Sequence, residues 1–220
     1  MKQHTGAPGD FGDRSPEDFW ENLYREHQEN HAVWGARTNP LLVGVAERLP
    51  VGTALDLGGG TGGDTFWLAR HGWEVTAVDI SATAVEQVRL LAEKAGLGDF
   101  VTAERHDLAR SFPSGTFDLI SAQYFHTPFT LPRAAILRRA SRALKPGGRL
   151  LVVDHGSIAP WSWSQDPGTR FPRPEEIHAE LDLPTSTWTV ERADTCEREA
   201  TGPGGQTATV TDHVLLLRRA

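Results

Sequence analysis

Ala54–Gly63 reads ALDLGGGTGG: a short apolar run that carries one acid, then five glycines with one threonine among them. A few apolar residues bounded by glycine mark a buried strand. A glycine-rich turn lets the backbone approach a ligand where side chains would stand in the way. DTFWLARHG then reads as a helix ending at Gly72, and EVTAVDI as a second strand. Strand, glycine turn, helix, strand is the repeating unit of a parallel sheet.

The alternation continues towards the C-terminus. Ser81 caps the helix ATAVEQVRLLAEKAG, in which Val85, Val88 and Leu91 or Ala92 recur at helical spacing. FVTAERHD and FDLISAQ read as the third and fourth strands. PRAAILRRASRALK is a helix closed by PGG, and RLLVVDHG is the fifth strand. After the helix PRPEEIHAELD, the runs STWTVERADTCERE and QTATVTDHVLLLRR flank ATGPGG as a hairpin. The expected fold is α/β: a doubly wound, mostly parallel seven-stranded sheet ending in an antiparallel hairpin. On the N-terminal side, Ser15 and Pro16 open the helix SPEDFWENLYREHQEN, with Asp18 at the capping-box position. HAVWGART reads as a loop, and Asn39 and Pro40 open a second helix, NPLLVGVAERL. This divides the chain into a flexible stretch at 1–14, a helical lid segment at 15–50 and the main domain at 51–220.

The 220 residues suffice for one α/β domain with a buried core. The net charge of −7 disfavours nucleic acid as a partner. The basic cluster Arg133, Arg138, Arg139, Arg142, Lys145 and Arg149 reads as the solvated face of a helix. Cys196 is the single cysteine, which excludes a disulfide framework within one chain and reads as structural. MKQHTGAPGDFGDRS has no apolar core of the signal-peptide kind, and no run reaches the ~20 apolar residues of a membrane span. A cytoplasmic protein is expected, as monomer or homodimer. His27 and His31 lie four apart, but HQENH lacks the glutamate of a zinc helix, so no metal is expected.

Gly58, Gly60 and Gly63 satisfy G-x-G-x-x-G, and Asp79 ends the second strand about 20 residues on. That geometry serves either NAD or S-adenosylmethionine, since both present ribose hydroxyls to the acid. Three features favour the second. Asp56 precedes the glycines, where it would oppose a pyrophosphate but complement an α-ammonium group. Asp107, in HDL, stands where it could read an adenine edge. LKPGGRLLVVD, ahead of a final hairpin, is not a dehydrogenase pattern.

Over Asn39–Ala220 the sequence resembles the class I S-adenosylmethionine-dependent methyltransferases. The motifs are LDLGGGTGG, VTAVDIS, RHDL, FDLISA and LKPGGRLLVVD, in the family's order and spacing. FW…LY…WG…NP, SAQYFH and VVDHG narrow the resemblance to small bacterial enzymes near the tellurite-resistance and thiopurine methyltransferases. The resemblance implies that Gly58, Gly60 and Gly62 line the methionyl and ribose side of the cofactor. It implies that Asp56 serves the amino group, Asp79 binds the ribose, and Ile80 packs on adenine. Asp107 and Leu108 would contact the adenine edge, with Gln123 near the methionyl end.

Ligands of open α/β sheets sit outside the carboxyl ends of the strands. QYFHTP and DHGS follow the fourth and fifth strands, so Tyr124, His126, Asp154 and His155 border the expected acceptor pocket. His126 and His155, with Tyr124, are the candidates for proton transfer or substrate orientation. Trp20, Tyr24 and Trp34 either close the pocket or pack the N-terminal segment, and Trp161 and Trp163 could wall it. The expected activity is methyl transfer to a small molecule at S, O, N or a metalloid. An NAD-dependent oxidoreductase and a non-catalytic S-adenosylmethionine-binding protein remain as alternatives.

Overall fold

The computed structural model describes residues 14–29, 37–162, 165–202 and 204–220. Expectations that fall on the remaining positions lie outside the described residues: the N-terminal stretch before Arg14, His31 and Trp34 in the HAVWGART loop, and Trp163.

The strand that opens the glycine turn, β1 (Thr53–Leu57), runs at the centre of the sheet. Ala54, Leu55 and Leu57 are fully buried on its two faces, as a central parallel strand requires. Beside it lie β2 (Glu74–Asp79) and β3 (Val101–Arg105) on one side, β4 (Phe117–Gln123) and β5 (Leu144–His155) on the other. The terminal hairpin of β6 (Trp188–Thr201) and β7 (Thr207–Arg219) completes the order β3-β2-β1-β4-β5-β7-β6, with β7 antiparallel to both neighbours. Winding reverses between β1 and β4, so a crevice opens at their carboxyl ends.

Among the described residues, six helices flank the sheet: α1 (Pro16–Glu29), α2 (Pro40–Ala46), α3 (Gly63–Arg70), α4 (Ala82–Lys94), α5 (Arg133–Arg142) and α6 (Pro174–Leu181). One core joins Leu55, Leu57, Ile120 and Val152 to Ile136 and Leu137 of α5 and Ile177 and Leu181 of α6. The other joins Ala54, Leu119 and Val153 to Leu42 of α2, Leu68 of α3 and Trp73. Asp56 alternates onto the Ala54 side and therefore faces α3. Ser15, Asn39 and Ser81 cap their helices through side-chain oxygens, as their sequence positions imply. Among the described residues, no helix is long and apolar enough to cross a membrane.

Four details differ from the sequence reading. β5 starts at Leu144, not Arg149, because Leu144 pairs with Phe117 across a register shift and draws LKPGG into the strand. The helix before the second strand ends at Arg70, with His71 as its cap and Gly72 left-handed. The inward stripe of α4 is Ala84, Val88 and Ala92, while Leu91 is exposed. Small residues at i, i+4 and i+8 let that helix lie close on β2 and β3. Arg133 leaves the expected solvated face: it grips Asp154 with two hydrogen bonds of 2.7 and 2.8 Å and donates to the Phe125 carbonyl.

The hairpin also overshoots the sheet. β5 meets β7 only as far as His155↔Asp212, whereas β6 and β7 stay paired to Thr201↔Thr207. The overhang stands beside the carboxyl ends of β4 and β5. The loop after β5 is bound to it by Gly156 N–H to the Thr211 carbonyl, Thr211 N–H to Ser157 Oγ, and His213 Nδ1 to the Pro172 carbonyl. Trp161 packs on the hairpin turn, where a Cβ at Gly202 would lie 2.6 Å from its ring.

Candidate functional site

The glycine turn folds over the end of β2. Gly58 and Gly59 both donate to the Val78 carbonyl, at 2.9 and 3.0 Å. Gly60 donates to one oxygen of Asp79 and Ser81 to the other, at 3.1 and 2.9 Å. Gly60 has φ +53°, and a Cβ there would lie 2.8 Å from the Tyr24 hydroxyl, so only glycine fits without strain. Beside the turn, Gly59, Gly60, Ala77, Asp79, Val85 and Ala103 line a small recess. Ile80 directly follows β2, and Leu108, three residues past β3, is buried in the core with Val78. Asp107 closes its own turn, accepting from Ala109 N–H and pairing with Arg110.

Three carboxylates cluster beneath the turn. Asp56 accepts from the Thr65 hydroxyl at 2.7 Å, and Asp64 from the Asn39 N–H at 2.7 Å. Among the described residues, none of Asp56, Asp64 and Asp79 has an ion-pair partner. Burial pushes the Asp79 carboxyl up to about 6, against its backbone hydrogen bonds. Burial also raises Asp56 and Asp64; the Thr65 and Asn39 hydrogen bonds oppose this, while the charges of Asp79 on Asp56 and of Asp56 on Asp64 add to it. Asn39 ties this side to Gln123, donating from Nδ2 to its Oε1 at 2.8 Å; Gln123 in turn donates to Ser121.

α1 spans the crevice. Glu21 accepts from Ser81 Oγ, Thr83 N–H and Thr83 Oγ1 at the start of α4. Burial opposes the charge, but these bonds hold the Glu21 carboxyl down to about 2. Tyr24 is buried over Gly60, and burial with the charges of Asp79 and Asp56 raises its phenol. On another side of the same turn of the helix, Trp20 Nε1 donates to Thr127 Oγ1 at 3.2 Å and Phe19 packs edge-on to Phe129. Trp20 and Tyr24 therefore both pack the helix and roof the crevice.

Across the switch point, Tyr124, His126 and His155 come together. Tyr124 adopts φ +49° and stacks on His155 at 4.2 Å, with His126 edge-on to His155 at 5.2 Å. His126 Nδ1 lies 2.8 Å from the Tyr124 carbonyl, which can only accept, so Nδ1 carries the proton and Nε2 keeps its lone pair. Burial lowers both imidazoles, His155 to about 4. The Tyr124 hydroxyl donates to Asp212 Oδ2 at 3.1 Å and accepts from Arg198 at 2.7 Å. Arg198 Nε also donates to Asp212 Oδ2. Sequence reasoning missed Asp212, Arg198, Asp64, Glu21 and Phe125, whose ring lies 3.1 Å from a Cβ at Gly58.

Residues 55–152 match the family model described as a methyltransferase domain. The chain carries a class I, S-adenosylmethionine-dependent methyltransferase domain. It is 31% identical over 145 residues to the sarcosine/dimethylglycine N-methyltransferase of Halorhodospira halochloris, covering 63% of this chain and 50% of that protein. The chain spans about half the length of the curated relatives it matches. Among solved structures, TehB from Haemophilus influenzae aligns with a TM-score of 0.63 at 18% identity, over 94% of this chain and 68% of that one. A structure from the study of disulfide-to-thioacetal conversion in echinomycin biosynthesis has the same TM-score at 23% identity, over 86% and 84%. These likenesses confirm the doubly wound sheet and its terminal hairpin as the methyltransferase fold.

Proposed function

We propose that the protein transfers a methyl group from S-adenosylmethionine to a small-molecule acceptor held between the glycine turn and the Tyr124–His155 stack. The observation that carries this reading is the set of buried carboxylates without counter-ions among the described residues, beside a turn that only glycine can form. Asp56 complements an ammonium group and would repel a pyrophosphate, which supports the methionyl cofactor over a dinucleotide. Asp79 has lone pairs left for two ribose hydroxyls beyond its backbone donors. Gly58, Gly60 and Gly62 form the methionyl and ribose wall, Ile80, Asp107 and Leu108 border the adenine, and Gln123 stands at the methionyl end. Tyr24 lies over Gly60 and the Phe125 ring against Gly58, so both border the cofactor's path. α1 thus acts as a cover over the crevice, whereas α2 packs into the core through Leu42, Val45 and Ala46.

When bound, the cofactor supplies an electrophilic methyl group on a sulfonium sulfur. The protein's part is alignment and proton removal. His126 Nε2 is neutral, oriented by its bond to the Tyr124 carbonyl, and ready to accept a proton. Tyr124 and His155 fix the floor on which an acceptor rests. The Halorhodospira relative is named for methylation at nitrogen, which is compatible with this arrangement.

Titration calorimetry of the purified protein with S-adenosylmethionine, S-adenosylhomocysteine and NAD tests the reading. Binding of the first two and not the third is expected, followed by acceptor-dependent release of S-adenosylhomocysteine. Binding of NAD alone would refute it, and binding without turnover on any acceptor would leave a non-catalytic cofactor-binding protein. His126→Gln is expected to keep cofactor affinity and lower kcat by roughly 10²-fold or more.

A further inference from the structure

The acceptor end of the crevice carries no unbalanced positive charge among the described residues. Its two guanidinium groups are ion-paired. Arg133 is bound to Asp154 and the Phe125 carbonyl, and Arg198 to Asp212 and the Tyr124 hydroxyl. The Tyr124 hydroxyl donates to Asp212, and the Trp20 indole to Thr127. Its lone pairs are less engaged. His126 Nε2 is free of the bond that holds Nδ1. Asp212 is fully buried, and its Oδ1 has no hydrogen-bond partner among the described residues. The charged groups that act on the two imidazoles are Asp154 and Arg133 on His126, and Asp212 and Arg198 on His155. They form two neutral pairs, drawn from β5 with α5 and from β7 with β6. Neither cation is left to receive an anion.

We propose, resting on the methyltransferase reading, that the acceptor is a protic nucleophile without negative charge, an amine or a hydroxyl, and that oxyanions such as selenite and tellurite are excluded. An anion entering here would lose its hydration with no unpaired cation to replace it, close to the Asp212 carboxylate, one oxygen of which already lacks a partner among the described residues. An N–H or O–H group meets lone pairs instead. In the reaction, the acceptor's lone pair forms the bond to the methyl carbon. The carbon–sulfur bond breaks and its electrons remain on sulfur. The N–H or O–H proton passes to His126 Nε2, and from the imidazolium to water. Asp212 and Asp154 are specificity-determining in this scheme, because each neutralises the arginine that would otherwise hold an anionic acceptor.

The test uses the full chain saturated with S-adenosylhomocysteine and probes matched in shape but not in charge: phenol and benzylamine against benzoate, with selenite as a separate arm. Binding is read by calorimetry. Phenol or benzylamine is expected to bind at least about tenfold tighter than benzoate, with no selenite binding. Which of the two binds better separates hydroxyl from amine acceptors. Equal behaviour of the matched probes, including no binding by any, overturns the proposal, as does selenite binding. Asp212→Asn is expected to shift preference towards benzoate by leaving Arg198 charged and unpaired; an unchanged preference in the folded variant counts against the role of Asp212. If Asp212→Asn does not fold, the charge preference of the unaltered protein still decides. Failure of S-adenosylhomocysteine to bind at the outset defeats the methyltransferase reading itself, and is thereby distinguishable.

Discussion

Lowering the pH from 7 to 5 should weaken S-adenosylmethionine binding by about tenfold, and Asp79 should account for most of it. In the free protein the Asp79 carboxyl titrates at about 6, raised by burial. Hydroxyl donors from a ribose favour the ionised form, so its value falls towards the ordinary ~4 in the complex. At pH 7 the free carboxylate is already ionised and binding has its full strength. At pH 5 about nine-tenths of it is protonated, so binding must first expel a proton, which lowers affinity roughly tenfold. The ligand's own α-amino and α-carboxyl groups, near ~8 and ~3.5, do not titrate in that window. Asp56, raised by burial, adds a contribution of the same sign if an ammonium group pairs with it. Calorimetry at pH 5, 6 and 7, in buffers of different ionisation enthalpy, reads both the affinity and the proton released. Affinity that is flat, or tighter at pH 5, would show that the Asp79 carboxylate is not a ligand contact.

The same carboxyls set the stability of the free protein with the opposite sign. Their raised values mean that their contribution is full below pH ~4 and is lost as pH rises through about 6, by up to roughly 3 kcal/mol for Asp79. His155, lowered to about 4, contributes with the opposite sign over the same range, so the Asp79 share is read as the Tm of the unaltered protein minus that of Asp79→Asn. That difference should fall as pH rises from 5 to 7, while the increment given by S-adenosylmethionine to the unaltered protein grows. Asp79→Ala should nearly abolish cofactor binding by calorimetry, and His126→Ala should spare it. Gly60→Ala, with φ +53° and the Tyr24 hydroxyl 2.8 Å from the new methyl, should lose roughly 1–3 kcal/mol in denaturant unfolding; Tyr24→Phe should return part of it. Arg133→Met leaves Asp154 buried and uncompensated and should lose about 3–5 kcal/mol, most of it regained in the double variant with Asp154→Leu.

The strands and the glycine turn were legible because their signals are local. ALDL and FDLISAQ are apolar on both faces, and a turn of this kind needs glycine wherever φ is positive. The phase of α4 was legible only in part: Val88 and the Ala92 alternative lie inward, but Val85 and Leu91 are not buried, since a count of apolar residues cannot rank alanine over leucine. Close packing on β2 and β3 instead selected Ala84, Val88 and Ala92, and left Leu90 and Leu91 exposed. The start of β5 was misread because PGG usually stops a helix and seldom belongs to a strand. In the site, Asp56, the glycines and Asp79 lie within 24 residues of chain at motif spacing. Asp212 and Arg198 reach Tyr124 across 88 and 74 residues. No sequence period links such positions, and in the sequence each is an ordinary charge on a hairpin strand.

The roof joins the two kinds of residue. The N-terminal half of α1 is held on one side by Glu21 on the first turn of α4 and on another by Trp20 and Phe19 on the loop after β4. One turn further along, Tyr24 adds to burial of the acids at the turn, and so raises the electrostatic penalty that a ligand's ammonium and hydroxyl groups relieve. Tyr24 borders the path of an entering cofactor, which once inside neutralises the charges that made the closed roof costly. Closure and binding are therefore coupled through Asp56 and Asp79. Loosening α1 at Glu21 should expose the acids to water, and loss of the Glu21 charge, which itself raises Asp79, acts in the same direction: both bring the acids towards ordinary carboxylates and flatten the pH dependence of binding.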